Sequence, residues 1–225
     1  MHYYPLFLDL SRTHCLIVGA GDVGRRKLTT LLQSAPASVL VLDVAPPCAE
    51  LAEALAADSR VTFARRTFTP ADVEGRGLVF AATGNRAANA AVAAACARRN
   101  VLCNCADAPR EGNCIVPATA RKGDLMAALS TGGGSPALAR RLRLELESWL
   151  EPRAALATLL GRLRPHVLAM PGKTGQNAAL FRTLAHSSLR DALDTGDRAR
   201  CEALLRELLP DALHPHIPEF MHDLV

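Results

Sequence analysis

Cys15-Leu16-Ile17-Val18-Gly19-Ala20-Gly21-Asp22-Val23-Gly24 runs an apolar stretch directly into G-x-G-x-x-G. Residues 15–18 read as a strand, and Asp22 to Gln33 as a helix with Val23, Leu28, Leu31 and Leu32 on one face. The next apolar run, Ser38-Val39-Leu40-Val41-Leu42, ends in Asp43, 19 residues after Gly24. A strand, a glycine turn, a helix and then an acid at the tip of the following strand form the arrangement that a dinucleotide fold requires. Each glycine has its own task there. Gly19 permits the tight turn, Gly21 lets the backbone approach a pyrophosphate, and Gly24 allows the helix to pack close to the strand. Asp22, Val23 and Gly24 open the helix, whose free N–H groups and positive dipole end would face phosphates. Asp43, followed by Val44, would accept hydrogen bonds from a ribose 2′-hydroxyl and repel a 2′-phosphate, which favours NAD over NADP. The plainer alternative is a nucleotide-free domain of the same fold that keeps the glycine turn.

The same alternation continues outward. Residues 61–64, 78–82 and 101–105 read as further strands, and 49–57 and 85–99 as Ala-rich helices. Pro46-Pro47 breaks the chain after the second strand, and Thr69-Pro70 pairs a helix cap with a first-turn proline. Alternating strands and helices predict a Rossmann-type parallel sheet of the α/β class. After residue 113 the pattern changes. Cys114 to Ala120 and Leu125 to Ser130 read as a hairpin joined by Arg121-Lys122-Gly123-Asp124. A helix from Ser135-Pro136 to about Leu150 follows, with Leu138, Leu142, Leu146 and Trp149 on one face. Everything beyond Pro152 looks helical, with breaks expected at Pro165, Pro171-Gly172 and Thr195-Gly196-Asp197, and an irregular end over Pro210 to Val225. The expected organisation is a dinucleotide domain over 1–113, a small α+β dimerisation segment over 114–150 and a helical C-terminal domain over 151–225. A hairpin and one helix cannot bury their own apolar faces, so a homodimer built on 114–150 is expected.

Composition narrows the function classes. The chain has 225 residues, 49% of them hydrophobic, and a formal net charge of +4 with arginines dispersed over several segments. That favours an anionic small molecule over nucleic acid. No apolar stretch suits a signal core or a membrane span, and seven irregularly spaced cysteines suit a reducing cytoplasm.

Four segments meet beyond the carboxyl ends of the predicted strands: the glycine turn, Asp43-Val44, Ala82-Thr83-Gly84-Asn85 and Asn104-Cys105-Ala106-Asp107-Ala108-Pro109. Thr83 and Asn89 either touch a cofactor or serve only as a helix cap and an exposed surface residue. Asp107 ends the fifth strand where a nicotinamide ring would lie; it is either a proton acceptor or a turn residue before Ala108-Pro109. Ser130-Thr131-Gly132-Gly133-Gly134-Ser135-Pro136 is either an anion cradle, with hydroxyls at Ser130, Thr131 and Ser135, the backbone of Gly132 and Arg140 behind it, or a hinge into a solvated helix. Cys103, Cys105 and Cys114 could hold a metal only if a second pair completed the set. Free core thiols are the expected state, with no resident metal.

Taken together, these segments resemble the precorrin-2 dehydrogenase/sirohydrochlorin ferrochelatase family of siroheme synthesis. The residues that carry the resemblance are Tyr4-Pro5-Leu6-Phe7-Leu8-Asp9-Leu10, the glycine turn with Arg26-Lys27, Ala81-Ala82-Thr83, Asn104 to Pro109, and Ser130 to Arg140. They occur in the family's order over residues 1–150. The resemblance implies NAD-dependent oxidation of precorrin-2 to sirohydrochlorin. It implies Asp107 as the residue serving dehydrogenation, and, in bifunctional members, insertion of a metal such as Fe²⁺ or Co²⁺ as a substrate. It also implies a homodimer and a substrate with eight carboxylates, which suits an arginine-lined cleft. The chain ends without the methyltransferase domain fused in some relatives, so precorrin-2 is expected from another enzyme. The rival reading is a non-catalytic NAD- or tetrapyrrole-binding module, which would not need Asp107.

Overall fold

The protein is described by a computed structural model that covers residues 3–170 and 174–224. The chain divides into two compact units, Met1–Val116 and Pro117–Val225.

The first unit alternates strand and helix: β1 (His14–Val18), α1 (Asp22–Leu32), β2 (Ser38–Asp43), α2 (Ala49–Ala57), β3 (Val61–Arg65), β4 (Leu78–Ala81), α3 (Arg86–Arg98) and β5 (Leu102–Cys105). The strands lie in the order β3-β2-β1-β4-β5, and every neighbouring pair is parallel. The order reverses at β1, so the crevice where such sheets take ligands opens between the ends of β1 and β4. β4, Leu78 to Ala81, is apolar and buried at every position, and the middle of β1 is likewise buried, because both faces of the sheet are covered. Leu16, Val18, Leu42, Val79 and Ala81 pack with Val92, Ala95 and Cys96 of α3. Their neighbours Cys15, Ile17, Val39, Val41 and Phe80 pack with Leu28 and Leu31 of α1 and Leu51 of α2. A fully buried Leu or Ile in these layers contributes roughly 1.5–3 kcal/mol. Thr69 and Pro70 begin a short 3₁₀ turn, Pro70–Val73, with Asp72 completing a capping box. The proline and cap are read correctly, but the element is a single turn.

The second unit holds an antiparallel hairpin, β6 (Ala118–Lys122) and β7 (Leu125–Leu129), followed by α4 (Pro136–Leu150). The hairpin is shorter at its start than the sequence suggests. Residue 117 is a proline and offers no N–H, and the Cys114 N–H is already donated to the Cys103 carbonyl at 3.3 Å. Its turn is also tighter: Arg121 and Lys122 belong to β6, leaving Gly123, at φ +52°, and Asp124 as the loop. The face of α4 is only partly covered. Leu150 is buried, whereas Leu138 and Trp149 remain 47% and 54% exposed.

The helices α5 (Ala154–Ala169), α6 (Thr174–His186), α7 (Leu189–Asp194), α8 (Arg198–Leu208) and α9 (Ile217–Phe220) complete this unit. Pro165 does not break the chain but sits inside α5. The burial of Leu159, Leu163 and Val167 on that helix outweighs one lost backbone bond. The expected break at Pro171-Gly172 lies outside the described residues. The C-terminal stretch is more ordered than expected: a 3₁₀ segment, Asp211–His216, leads into α9 and buries Leu213, Ile217, Phe220 and Met221. Among the described residues no helix is long and apolar enough to cross a membrane.

Candidate functional site

The three glycines after β1 meet three different surroundings. Gly19 has φ +103°, and a Cβ there would lie 2.5 Å from the Ala82 carbonyl oxygen. The turn therefore packs backbone to backbone against the segment that follows β4. At Gly24 a Cβ would fall 1.9 Å from the carbonyl oxygen of Gly19, so α1 starts in contact with its own turn. At Gly21 a Cβ would meet nothing within 4 Å. Two glycines are thus demanded by packing, and the third faces open space.

The helix behind Gly21 starts without a side-chain cap. The first backbone bond closing α1 is from the Arg25 N–H to the Gly21 carbonyl at 2.9 Å, and no side chain caps Gly21. The first-turn N–H groups of Asp22, Val23 and Gly24 are left to a ligand, with the dipole of α1 behind them. By contrast α3 and α4 are capped internally, by Asn85 accepting from the Ala88 N–H and Ser135 accepting from the Leu138 N–H. The Asp22 carboxylate itself pairs with Arg25 at 2.6 Å and is exposed. The open glycine, the uncapped helix and the tightly packed turn fit the pyrophosphate of a dinucleotide.

Asp43 stands at the end of β2. Its carboxylate accepts the Ala20 N–H at 2.6 Å and the Ala45 N–H at 2.8 Å. It is thereby fixed to the glycine turn, and each oxygen keeps a lone pair for a hydroxyl. Val44 follows it, 63% exposed at the sheet edge.

On the other side of the crevice, Asn89 is 1% exposed. Its amide oxygen accepts from the Thr83 N–H at 3.1 Å and the Thr83 hydroxyl at 2.7 Å, and its amide nitrogen donates to the Thr83 carbonyl at 3.0 Å. Surface exposure, one of the alternatives for Asn89, is excluded by this burial; its geometry is that of a clamp on the loop after β4. Thr83 also accepts from the Asn85 N–H at 3.1 Å, so its hydroxyl is committed within the loop. What this loop offers a ligand is its backbone edge beside Gly19.

Asp107 follows β5, exposed, and no hydrogen bond to it is found among the described residues. Its loop is anchored on both sides. The Ala106 N–H donates to the Ala81 carbonyl at 3.0 Å, which extends the β4–β5 pairing by one step. Beyond it, Asn113 accepts from the Cys103 N–H at 2.7 Å and donates to the Val101 carbonyl at 2.9 Å, acting as a substitute strand on the edge of β5. Glu111 pairs with Arg86 of α3 at 2.7 Å. A free carboxylate on a stapled loop at the carboxyl edge of the sheet can accept a proton there.

In the second unit, the Ser130–Ser135 turn has Gly132 at φ +63° and Gly133 at φ +87°. The Ser130 hydroxyl accepts from the Gly132 N–H at 3.1 Å, and the Thr131 hydroxyl accepts from the Ser135 N–H at 3.2 Å. Arg140 is exposed and makes no ion pair among the described residues, whereas Arg141 and Arg143 pair with Glu145 and Glu147.

Among the described residues no group of three or more His, Cys, Asp or Glu could hold a metal ion. Burial pushes the Cys105 thiol up to about 12 and Cys114 up to about 11, so both stay neutral at pH 7. Cys103 and Cys105 do share a face, with sulfurs 4.0 Å apart, within the α3 core.

A doubly wound parallel sheet with this turn at its switch point defines a dinucleotide-binding protein. The family described as "Putative NAD(P)-binding" (NAD_binding_7) matches residues 6–118, just over half the chain, and the chain belongs to that family. A siroheme synthase 1 of Aeromonas hydrophila is 34% identical over 93% of this chain, and a siroheme synthase of Methylococcus capsulatus is 36% identical over 90%. These alignments reach beyond residue 150 into the C-terminal helices, so the similarity is wider than the motifs alone indicated. The chain spans about half the length of these relatives, 45% and 44%. Among solved structures, one titled SirC, precorrin-2 dehydrogenase superposes with a TM-score of 0.75 at 23% identity, covering 92% of this chain and 98% of that one. The Rossmann-type sheet, the small antiparallel hairpin and the C-terminal helices are therefore a fold shared with that protein.

Proposed function

We propose that the chain is an NAD-dependent dehydrogenase that oxidises precorrin-2 to sirohydrochlorin. The observation that carries this reading is the division of labour in the β1–α1 turn, with Gly21 open and Asp43 fixed at one end of the crevice. Asp107 stands beyond β5 toward the other end. The siroheme synthases among the relatives and the SirC fold supply the substrate class.

In this reading the first-turn N–H groups of α1 bind the pyrophosphate. Asp43 accepts from the adenosine ribose and selects NAD over NADP by repelling a 2′-phosphate. Asn89 holds the Thr83 loop against Gly19 and so shapes the crevice floor. Bound there, NAD⁺ supplies the two-electron acceptor. The substrate loses a hydride from a ring carbon and a proton from its neighbour, and Asp107 takes that proton, directly or through water. The Ser130 and Ser135 hydroxyls and Arg140, which makes no ion pair among the described residues, bind substrate carboxylates, while Thr131 and Gly132, whose O–H and N–H are donated to the Ser135 carbonyl and the Ser130 hydroxyl, shape the turn. The half-covered face of α4, with Leu138 and Trp149, and Met126 on β7 suit a homodimer contact. The same Asp107 could strip pyrrole protons during insertion of Fe²⁺ or Co²⁺, a second activity that adding the metal to the completed reaction would reveal.

The test is anaerobic turnover of precorrin-2 and NAD⁺ by the wild type and Asp107→Asn. Formation of NADH by the wild type, lost in Asp107→Asn while NADH still binds, supports the assignment. Unchanged turnover in the variant removes Asp107 from the mechanism.

A further inference from the structure

Asp43 has a register partner in the neighbouring strand. Asp43 of β2 lies opposite Arg65 of β3, and both are the last residues of their strands. Register partners in a parallel pair project to the same face, so an acid and a cation leave the carboxyl edge of the sheet side by side. Their bonding differs. The Asp43 carboxylate is fixed by the Ala20 and Ala45 N–H groups. Arg65 donates from Nε to the Val44 carbonyl at 3.1 Å, which holds the guanidinium beside the residue that follows Asp43. Among the described residues that is the only bond found for Arg65, and it makes no ion pair with Asp43. The adjacent cation, Arg66, is bound at both terminal nitrogens by Asp72, at 2.8 and 2.5 Å. One arginine of the pair is used in the fold. The other is exposed, with its terminal N–H groups free.

An arginine fork matches the oxygens of a phosphate monoester, whereas a carboxylate in the same place matches ribose hydroxyls and repels phosphate. Changing an NAD site into an NADP site requires removal of the acid and provision of a cation. Here the cation is already in place. We propose that Arg65 is a preformed 2′-phosphate subsite masked by the charge of Asp43. The inference rests on the dinucleotide reading above and deepens it: cofactor choice is set by two adjacent residues, and neutralising one exposes the other.

The test is separate titration of NADH and NADPH, by their own fluorescence, into the wild-type chain, Asp43→Asn, Arg65→Ala and the double variant. Asp43→Asn should gain at least tenfold in NADPH affinity while losing NADH affinity, and that gain should weaken as salt is added. Arg65→Ala added to it should abolish the gain. In the wild-type background, where Asp43 keeps its bonds to the turn, Arg65→Ala should lower the NADPH-to-NADH affinity ratio at least threefold. This second comparison decides the matter should Asp43→Asn fold poorly. The proposal is overturned if Asp43→Asn binds NADH but NADPH no better than the wild type, if the gain survives loss of Arg65, or if the wild-type ratio is indifferent to Arg65. Failure of a folded wild-type chain to bind either nucleotide would be a different result. It would remove the dinucleotide reading itself, and this inference with it.

Discussion

Substituting alanine at Gly24 and at Gly21 should separate packing from binding within a single turn. At Gly24 the new Cβ would lie 1.9 Å from the Gly19 carbonyl oxygen, 2.9 Å from its carbon and 3.4 Å from Ile17 Cγ2. The first two are backbone atoms, so no side-chain rotation relieves the clash. Overpacking of this kind costs about 1–3 kcal/mol, and a contact this short belongs at the upper end. Gly24 lies inside α1, where alanine regains about 1 kcal/mol in helix propensity. The net loss is then about 2 kcal/mol, or a fall of roughly 4–8 °C in the melting temperature of a chain of 225 residues. At Gly21 the backbone is at φ −68° and ψ −172°, open to any residue, and the Cβ meets nothing. Stability should change by less than about 1 kcal/mol. The methyl group would instead enter the open space proposed above for the pyrophosphate, and NADH affinity should fall at least tenfold, about 1.4 kcal/mol. Thermal unfolding by circular dichroism reads the first quantity and fluorescence titration with NADH reads the second. A Gly21→Ala variant that binds like the wild type, or a Gly24→Ala variant that melts like it, would refute the reasoning.

Other consequences can be checked individually. Asn89→Ala leaves the Thr83 N–H without its acceptor and the Thr83 carbonyl without its donor; it should cost about 2–4 kcal/mol in thermal unfolding and weaken NADH binding as the loop after β4 loosens. Asp72 is held down to about 2, chiefly by Arg66 hydrogen bonds. A depressed carboxylate contributes stability that is present above its unfolded value near 4 and lost as pH falls through about 2. Acid titration of stability should therefore steepen in that window for the wild type and flatten for Asp72→Asn. Sedimentation of the purified chain should show a dimer, and Trp149→Glu on the exposed face of α4 should shift it toward monomer.

The doubly wound sheet was legible because its signals are local and redundant. The central strands β1 and β4 carry continuous apolar runs, Cys15 to Val18 and Leu78 to Ala81, and the glycine turn has fixed spacing. The errors arose where tertiary context overrules a residue's usual habit. Pro165 reads as a breaker, yet the apolar stripe of Leu159, Leu163 and Val167 carries the helix past it. The stretch from Pro210 reads as irregular because of its prolines, although Leu213, Ile217, Phe220 and Met221 recur at helical spacing and are buried. In the candidate site, sequence and structure bring the same segments to the carboxyl ends of the strands, but sequence does not assign their bonds. That Asn89 clamps Thr83 depends on how α3 returns over β4. That Asn113 closes the edge of β5 depends on the course of a loop with no periodicity. Arg65 carries no signal in the sequence, because its meaning lies in its register with Asp43, which only the pairing of β2 with β3 reveals.

The most direct test of the central claim is product stoichiometry. Wild-type chain, precorrin-2 and NAD⁺ are mixed without oxygen, and NADH and sirohydrochlorin are counted from their spectra. The account predicts one NADH for each sirohydrochlorin, at a rate well above the enzyme-free mixture. Bound NAD⁺ with no conversion, or sirohydrochlorin formed without NADH, would contradict it.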